Sequence, residues 1–253
     1  HWSLVIGHWS LVIGHWSFII PYSLFPSIMT QTLLITGTNT DAGKTVLTTA
    51  LAAYWQTYYP QKRLGIFKPM QTGTGDWEHY HQQFNLDQTP QEIAPLQFSH
   101  PVAPPVAAER EGRSIELKGV WQALNRLQQQ RDVVLVEGLG GLGSPVTHEL
   151  TVADIARDWK LPSVIVVPVE LGAIAQSVAT VALARQSGVQ LKGIVLNCVQ
   201  PRSAEEIADW TPIELIQSLT QVPILGILPH LADPTDLSKL AQVASELELE
   251  RLF

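Results

Sequence analysis

The chain has 253 residues, of which 45% are hydrophobic and 15% are charged. This composition allows one large α/β domain or two small ones with a substantial core. The formal net charge of -7, without any block of basic residues, argues against nucleic acid as the main partner. The single cysteine, Cys198, excludes a disulfide framework and a cysteine-rich metal site, and it fits a reducing, cytoplasmic environment.

A seven-residue repeat occupies the first part of the chain. HWSLVIG occurs at 1–7 and 8–14, and HWSFIIP follows at 15–21. Histidines and prolines interrupt the roughly 20 continuous apolar residues that a membrane span needs, so we expect no membrane partner. We predict that residues 1–28 are a non-native or disordered extension before a start at Met29. Residues 29–253 are then expected to form a single domain.

Strand and helix patterns alternate after Met29. Short β-branched runs predict strands at 32–36, 63–68, 132–136, 163–168, 191–196 and 222–228. Helices are predicted at 45–58, 115–130, 151–159, 173–187, 204–220 and 235–249, and a break at Pro212 is left open. This order predicts a doubly wound, mostly parallel sheet flanked by helices, with ligands at the carboxyl ends of the strands. The proline-rich residues 94–106 are predicted to be a stiff loop, not a domain boundary.

The first predicted strand runs into a loop of small residues that ends in Gly43-Lys44-Thr45 at the start of a helix. Strand, glycine loop and helix in this order predict a phosphate-binding loop. Lys44 would reach the β- and γ-phosphates, and the Thr45 hydroxyl would hold Mg²⁺. Gly37 lies six positions before Gly43, one more than in the common pattern. A glycine-capped turn with a solvated Lys44 is therefore the alternative.

Charged residues follow the second and third predicted strands. Lys68 would be costly to bury without an anion, so it either stabilises charge on a phosphoryl group or is an exposed loop lysine. Asp76 is interpreted as a Mg²⁺ ligand or as a helix N-cap. Glu137 stands where a phosphate-loop protein places its second Mg²⁺ contact. The glycine-rich residues 138–143 either approach a ligand closely or form a flexible turn.

Three further segments follow the remaining strands. Gly172-Ala173-Ile174 opens a helix whose N-terminus suits a carboxylate, or it is an ordinary helix start. Asn197 follows the fifth strand and Pro229-His230-Leu231 the sixth, so both could border a base. The guanine-reading Asn-Lys-x-Asp pattern is missing, which favours adenine. Cys198 is interpreted as a packing residue and His230 as a wall of the site.

Taken together, these segments resemble the dethiobiotin synthetase family of P-loop proteins. The matching pieces are Gly37 to Thr45, Lys68-Pro69 with Thr72-Gly73, Glu137 to Gly141, Pro162 to Val167 followed by Leu171-Gly172, Gly193 to Asn197, and Leu228-Pro229. They occur in order over nearly all of 31–231, and the set is specific although no single piece is.

The resemblance implies a reaction in which 7,8-diaminononanoate takes up CO₂ as a carbamate, which attacks the γ-phosphate of MgATP before ring closure to a cyclic urea. It implies a homodimer in which the carboxylate of the diamine reaches toward the partner subunit. It also implies residue roles. The implied catalytic residues are Thr38, Lys44 and Lys68. The implied ATP contacts are Asp41, Ala42, Gly43, Lys44, Thr45, Val46, Asp76, Glu137, Gly138, Leu139, Gly140, Asn197, Pro229, His230 and Leu231. The implied substrate contacts are Thr38, Thr72, Gly172, Ala173 and Ile174. The implied Mg²⁺ contacts are Thr45, Asp76 and Glu137.

The chain departs from this family at three places, one of which is the N-terminal extension, which matches nothing in the family. Ala175-Gln176 stands where many relatives carry Asn-His, which removes one expected side-chain contact to the substrate tail. Asn39 stands where Asp is frequent. A partition or scaffold ATPase is the first alternative, but such proteins carry a lysine at the position of Asn39. An amidating enzyme would need a nucleophilic cysteine and more chain, and a regulator without turnover stays open.

Overall fold

The computed structural model describes residues 30–253, so the repeat at 1–28 and Met29 lie outside the described residues. The strands are β1 (Gln31–Gly37), β2 (Leu64–Phe67), β3 (Met70–Thr72), β4 (Leu96–Phe98), β5 (Val133–Glu137), β6 (Ser163–Pro168), β7 (Leu191–Asn197) and β8 (Ile224–Leu228). The helices are α1 (Lys44–Tyr58), α2 (Asp76–Gln83), α3 (Pro90–Ile93), α4 (Pro104–Arg110), α5 (Leu117–Gln130), α6 (Val152–Asp158), α7 (Ala173–Ser187), α8 (Ala204–Trp210), α9 (Ile213–Thr220), α10 (Leu237–Ser245) and α11 (Leu249–Leu252).

Six strands form one sheet in the order β2-β5-β1-β6-β7-β8, and every pair in it is parallel. The predicted doubly wound parallel sheet is therefore confirmed. Its strands are buried on both faces, which explains why they read as continuous apolar runs without alternation.

The two faces of the sheet bury different side chains. Leu33 and Ile35 pack with α1 and α10 on one face, whereas Leu34 packs with α5 and α6 on the other. This division follows from the two-residue period of a strand. A third apolar cluster lies between β6, β7, α7 and α9. Apolar side chains therefore pack on both faces of β1 and fix the position of the loop that follows this strand.

The region between β2 and β5 contains more structure than the sequence predicted. The prediction that 94–106 is a loop was wrong, because this segment contains β4 and the start of α4. Pro104 and Pro105 begin a helix, as proline is tolerated in a first turn that needs no N–H donors. β4 pairs in parallel with β3, and both have only three residues, too few to show a periodic pattern.

Two of the predicted helices differ in extent from the structure. α8 ends at Trp210 and α9 begins at Ile213 with Pro212 as its N-cap, so the break at Pro212 is confirmed. The predicted helix at 235–249 is shorter than expected, because α10 ends at Ser245 and a separate helix, α11, begins at Leu249. None of the helices in residues 30–253 combines the length and apolar character that crossing a bilayer requires.

Candidate active site

The loop between β1 and α1 brings backbone N–H groups to the carboxyl end of the sheet. Gly43 is the N-cap of α1 and has a left-handed φ of 97°. A Cβ atom there would lie 1.9 Å from Nδ2 of Asn197, so both the conformation and the space require glycine. Because a glycine cannot cap the helix with a side chain, the first N–H groups of α1 are available to an anion. Val46 lies in this first turn, and Asp41 is exposed on the loop.

Lys44 is the first residue of α1 and is only 4% exposed. Its Nζ donates to the backbone oxygens of Asn39, at 3.1 Å, and Thr40, at 2.9 Å. The alternative of a solvated Lys44 is therefore wrong. Burial lowers the pKa of Lys44 from 10.5 to about 8, and the nearby charge of Glu137 only partly offsets this. The ammonium thus lies inside the loop that is expected to surround phosphates.

Lys68 lies just after β2 and is also 4% exposed, so the alternative of an exposed loop lysine is wrong. Its Nζ is 2.7 Å from Oε1 of Glu137 and 2.8 Å from Oδ2 of Asp76. Burial by itself would lower the pKa of Lys68, but the two carboxylates outweigh burial and raise it. Lys68 is therefore a charged, buried lysine that bridges two acids.

The three predicted Mg²⁺ contacts lie around this lysine. The Thr45 hydroxyl donates to Oε1 of Glu137 at 3.2 Å, which is the same oxygen that Lys68 contacts. Asp76 is the first residue of α2, whose N-cap is Gly75, so the N-cap interpretation of Asp76 is wrong. Two carboxylates and one hydroxyl are hard oxygen donors, the kind that Mg²⁺ prefers when nucleotide phosphates complete its shell. The donor set thus fits the expected ion.

Two aromatic residues of α2 belong to the same cluster and were missed by the sequence analysis. The hydroxyl of Tyr80, which is completely buried, donates to Oε2 of Glu137. Burial and the charge of Glu137 hold the pKa of Tyr80 well above its usual value. His79 contacts the Thr49 hydroxyl at 3.0 Å, and burial lowers the pKa of His79. The four-residue spacing from Asp76 to Tyr80 could have indicated one helix face, but no helix was predicted there.

The glycine-rich loop after β5 packs directly against the loop after β1. A Cβ at Gly141 would lie 2.6 Å from the backbone oxygen of Thr38. The Leu142 N–H donates to the backbone oxygen of Gly37 at 3.0 Å. Gly138, Leu139 and Gly140 lie between Glu137 and this contact, and Gly140 has a φ of 51°. The glycines therefore allow the loops after β1 and β5 to approach each other closely.

Two threonines were expected to position the substrate. Thr38 immediately follows β1, and its buried hydroxyl has no hydrogen-bond partner among residues 30–253. Thr72 ends β3, four residues after Lys68. Next to it, the buried Gln71 accepts from the Trp77 N–H at 2.9 Å and donates to Glu78 at 2.9 Å. These bonds hold the start of α2, and with it Asp76, against β3.

The residues predicted to border the base lie at the ends of β7 and β8, which pair at Asn197 and Leu228. Asn197 is buried, and its Nδ2 donates to the backbone oxygen of Ala42 at 2.9 Å. Asn197 therefore also supports the phosphate loop, a role that the sequence analysis did not foresee. Pro229, His230 and Leu231 follow β8, and a ring nitrogen of His230 is 3.2 Å from the backbone oxygen of Val199. Cys198 is buried, and burial raises its pKa, in keeping with a packing role.

The predicted substrate-tail segment lies after β6 and opens onto a different surface. Gly172 is the N-cap of α7, which begins with Ala173. A groove of about 580 Å³ lies beside it. The apolar side chains that line this groove include Leu171, Ile174, Val178, Trp210 and Leu219. We call the groove and these side chains the open face. Leu171 is 76% exposed and Leu219 is 52% exposed, which is unusual for leucine.

Comparison with known proteins identifies relatives over most of the chain. The model of the AAA_26 family, described as an AAA domain, matches residues 31–237. An ATP-dependent dethiobiotin synthetase BioD from Gloeothece citriformis is 63% identical over 87% of this chain and 98% of the relative. Proteins of the same name from Crocosphaera subtropica and a Synechocystis species are 59% and 50% identical, each over 88% of this chain and 99% and 94% of the relative.

Solved structures of two other proteins share the fold. The MinC:MinD cell division complex of Aquifex aeolicus matches with a TM-score of 0.55 at 15% identity, covering 85% of this chain and 95% of that one. A ParA family ATPase of Chlorobium tepidum matches with a TM-score of 0.53 at 14% identity, covering 89% and 97%. At such low identity the likeness concerns the fold alone. The sequence matches, which extend over nearly the whole length of the relatives, show that this chain belongs to the dethiobiotin synthetase family.

Proposed function

We propose that this chain catalyses the ATP-dependent carboxylation and ring closure of 7,8-diaminononanoate to dethiobiotin, with release of ADP and phosphate. One observation carries the proposal: a chain 63% identical to a dethiobiotin synthetase places Lys68 between Glu137 and Asp76, beside its phosphate loop. Both the carbamate and the triphosphate are anions. Cationic side chains at their meeting point are therefore what this reaction needs.

The position of each residue in the site assigns it to a different part of the reaction. The N–H groups at the start of α1 and the Lys44 ammonium would hold the β- and γ-phosphates. Lys68 would stabilise the charge that develops when the carbamate oxygen attacks the γ-phosphorus and ADP leaves. The second amine then attacks the carbamoyl carbon, expels phosphate and closes the urea ring. Thr38 and Thr72 are proposed to orient the diamine, since the buried Thr38 hydroxyl has no hydrogen-bond partner in the described part of the chain.

We propose Thr45, Asp76 and Glu137 as the residues that hold Mg²⁺. When bound there, the ion would neutralise negative charge on the phosphates. The base is proposed to be adenine, bordered by Asn197 and residues 229–231. We further propose that residues 29–253 act as a single catalytic domain in the cytoplasm; the family match over 31–237 and the single cysteine support this.

We also propose a homodimer formed through the open face. Its exposed leucines would be covered by the same surface of a second copy. The start of α7 at Gly172–Ile174 borders this face, so the carboxylate of the substrate would bind near the subunit boundary. Ala175 and Gln176 offer a different side-chain surface from the Asn-His of many relatives, and backbone N–H groups at the start of α7 would supply the contact.

The function is tested with the purified chain by following ADP formation and by detecting dethiobiotin with mass spectrometry. We expect ATP consumption only when both diamine and bicarbonate are present, with one ADP per dethiobiotin. Omitting either substrate is the matched control. Rapid ATP hydrolysis without the diamine would contradict the proposal and favour a switch ATPase.

A further inference from the structure

Two side chains of α2 lie in the cluster around Lys68 and Glu137. Asp76 and Tyr80 are four residues apart, so they lie on the same face of this helix. Oδ2 of Asp76 is 2.8 Å from Nζ of Lys68, and the Tyr80 hydroxyl donates to Oε2 of Glu137. The docking of α2 against the sheet therefore sets two contacts of the site at once.

Burying the hydroxyl of Tyr80 costs free energy of folding unless this hydroxyl has a hydrogen-bond partner. Tyr80 is completely buried and packs with the apolar cluster that includes Phe84 and Ile93. A phenylalanine would fill the same volume without placing an oxygen in this environment. A hydrogen bond to an ionised carboxylate is stronger than one between neutral groups and offsets the cost of burial. The hydroxyl is thus explained by Glu137 and not by packing.

The two oxygens of Glu137 have different neighbours. Oε1 accepts from Nζ of Lys68 and from the hydroxyl of Thr45, which stands at the end of the phosphate loop. Oε2 accepts from Tyr80 of α2. Glu137 is 1% exposed, so water cannot readily replace a lost donor. Without the phenol, Oε2 would be buried without this donor, and the orientation of the carboxylate would depend on the bonds from Lys68 and Thr45 to Oε1 alone.

We propose that Tyr80 is a positioning residue for Glu137 that holds Oε1 toward the phosphate loop, where the magnesium of the bound nucleotide is expected. The inference rests on the proposed function, because that function assigns the metal contact to Glu137. It adds a residue that touches neither substrate nor metal and acts through the carboxylate alone. Outer partners that orient a metal ligand in this way are commonly worth about 10- to 100-fold in metal affinity.

The test is calorimetric titration of the full chain with a non-hydrolysable ATP analogue, with and without Mg²⁺. The ratio of the two affinities measures the gain that the metal supplies. We expect Tyr80→Phe to reduce this gain by roughly tenfold or more while the metal-free affinity stays unchanged. The matched control is Tyr58→Phe, the same change at an exposed tyrosine of α1, which should leave both affinities as they are. A purely structural role of Tyr80 would lower both affinities together and would overturn the proposal.

Glu137→Gln separates the failure of this inference from that of the proposed function. If Glu137→Gln keeps the full gain from Mg²⁺, the assignment of the metal to Glu137 is wrong. If Glu137→Gln loses the gain but Tyr80→Phe behaves like Tyr58→Phe, the metal contact stands and the role of Tyr80 is wrong. The double variant Tyr80→Phe/Glu137→Gln removes both partners of the Tyr80–Glu137 hydrogen bond, leaves Lys68 paired with Asp76, and keeps the test open if Tyr80→Phe is unstable. A loss beyond that of Glu137→Gln alone would contradict a role exercised through the carboxylate.

Discussion

The two ends of the proposed substrate site differ in how completely one chain builds them. At the phosphate end, Lys44, Lys68 and Glu137 are buried and hydrogen-bonded to neighbouring loops. At the open face, Leu171 and Leu219 are exposed around an apolar groove. The glycines show the same contrast. A Cβ at Gly141 would collide with the loop after β1, whereas a Cβ at Gly172 would have no atom of residues 30–253 within 4 Å.

This contrast separates two physical tasks. Phosphoryl transfer needs charged groups fixed in advance, and a single chain can fix them by converging strand ends. Recognition of a long substrate tail needs a surface that surrounds the tail, and here the apolar side chains of the open face are exposed. We infer that the phosphate end works within one subunit, while the tail end is completed by association. Substitutions at the two ends, and a change of pH, test this difference.

The largest effect is expected at the phosphate end. We predict that Lys68→Ala lowers kcat by roughly 100- to 1,000-fold, about 3 kcal/mol or more, because a fixed charge at the reacting centre is lost. ATP affinity should change far less, because Lys44 and the loop N–H groups still hold the phosphates. Steady-state kinetics and nucleotide titration measure the two quantities. Equal losses in kcat and in ATP affinity would mean that Lys68 serves binding and not the chemical step.

The open face is tested by Leu219→Asp. In a two-fold dimer the change removes two leucines from the interface, each worth about 1.5 kcal/mol, so the dimer dissociation constant should rise roughly 100-fold. Analytical ultracentrifugation measures this constant. The KM for the diamine should rise with dissociation, whereas the affinity for ATP should not.

Val106→Asp is the matched control for this experiment. Val106 is an exposed aliphatic residue of α4, a helix that packs against β3 and β4 and does not line the groove. Its substitution should leave the dimer and the KM unchanged. If Leu219→Asp also leaves the dimer intact, the open face is not the interface.

A smaller effect is expected from pH. Lys44 has a pKa lowered by burial from 10.5 to about 8, so above pH 8 the folded chain loses this proton while an unfolded chain keeps it up to about 10.5. Metal-free ATP affinity should therefore fall by about tenfold per pH unit above 8, since the phosphates need the charged lysine. In the same window, the contribution of Lys44 to the free energy of unfolding should rise with pH, because the unfolded state then binds more protons.

Titration calorimetry between pH 7 and 9.5 measures the first trend, and thermal unfolding of the ligand-free chain measures the second. Lys44→Met is the control, because it removes the titrating group and should flatten both trends. An ATP affinity that is constant over this range would show that the phosphate loop does not depend on the charge of Lys44.

Much of the site could be predicted because its parts follow individual strands. The alternation of strands and helices predicted the parallel sheet, and parallel strands bring their carboxyl ends to one edge. Lys44, Lys68 and Glu137 were therefore expected at that edge, and residues 31–37 and 133–137 pair as neighbours there. Helix α2 was not predicted, because eight residues of low hydrophobicity after a glycine-rich turn carry little periodic signal.

Local patterns of apolar residues and glycine were enough to predict the phosphate loop, the succession of strands and helices along the chain and the types of residue at the strand ends. The order of the strands within the sheet and the choice between the open alternatives followed from the fold as a whole. The fold buried Lys68 between Asp76 and Glu137, turned Tyr80 toward the same carboxylate and placed Asn197 under the phosphate loop. Such contacts join residues far apart in the chain, and their cost or benefit depends on burial, which no local pattern records.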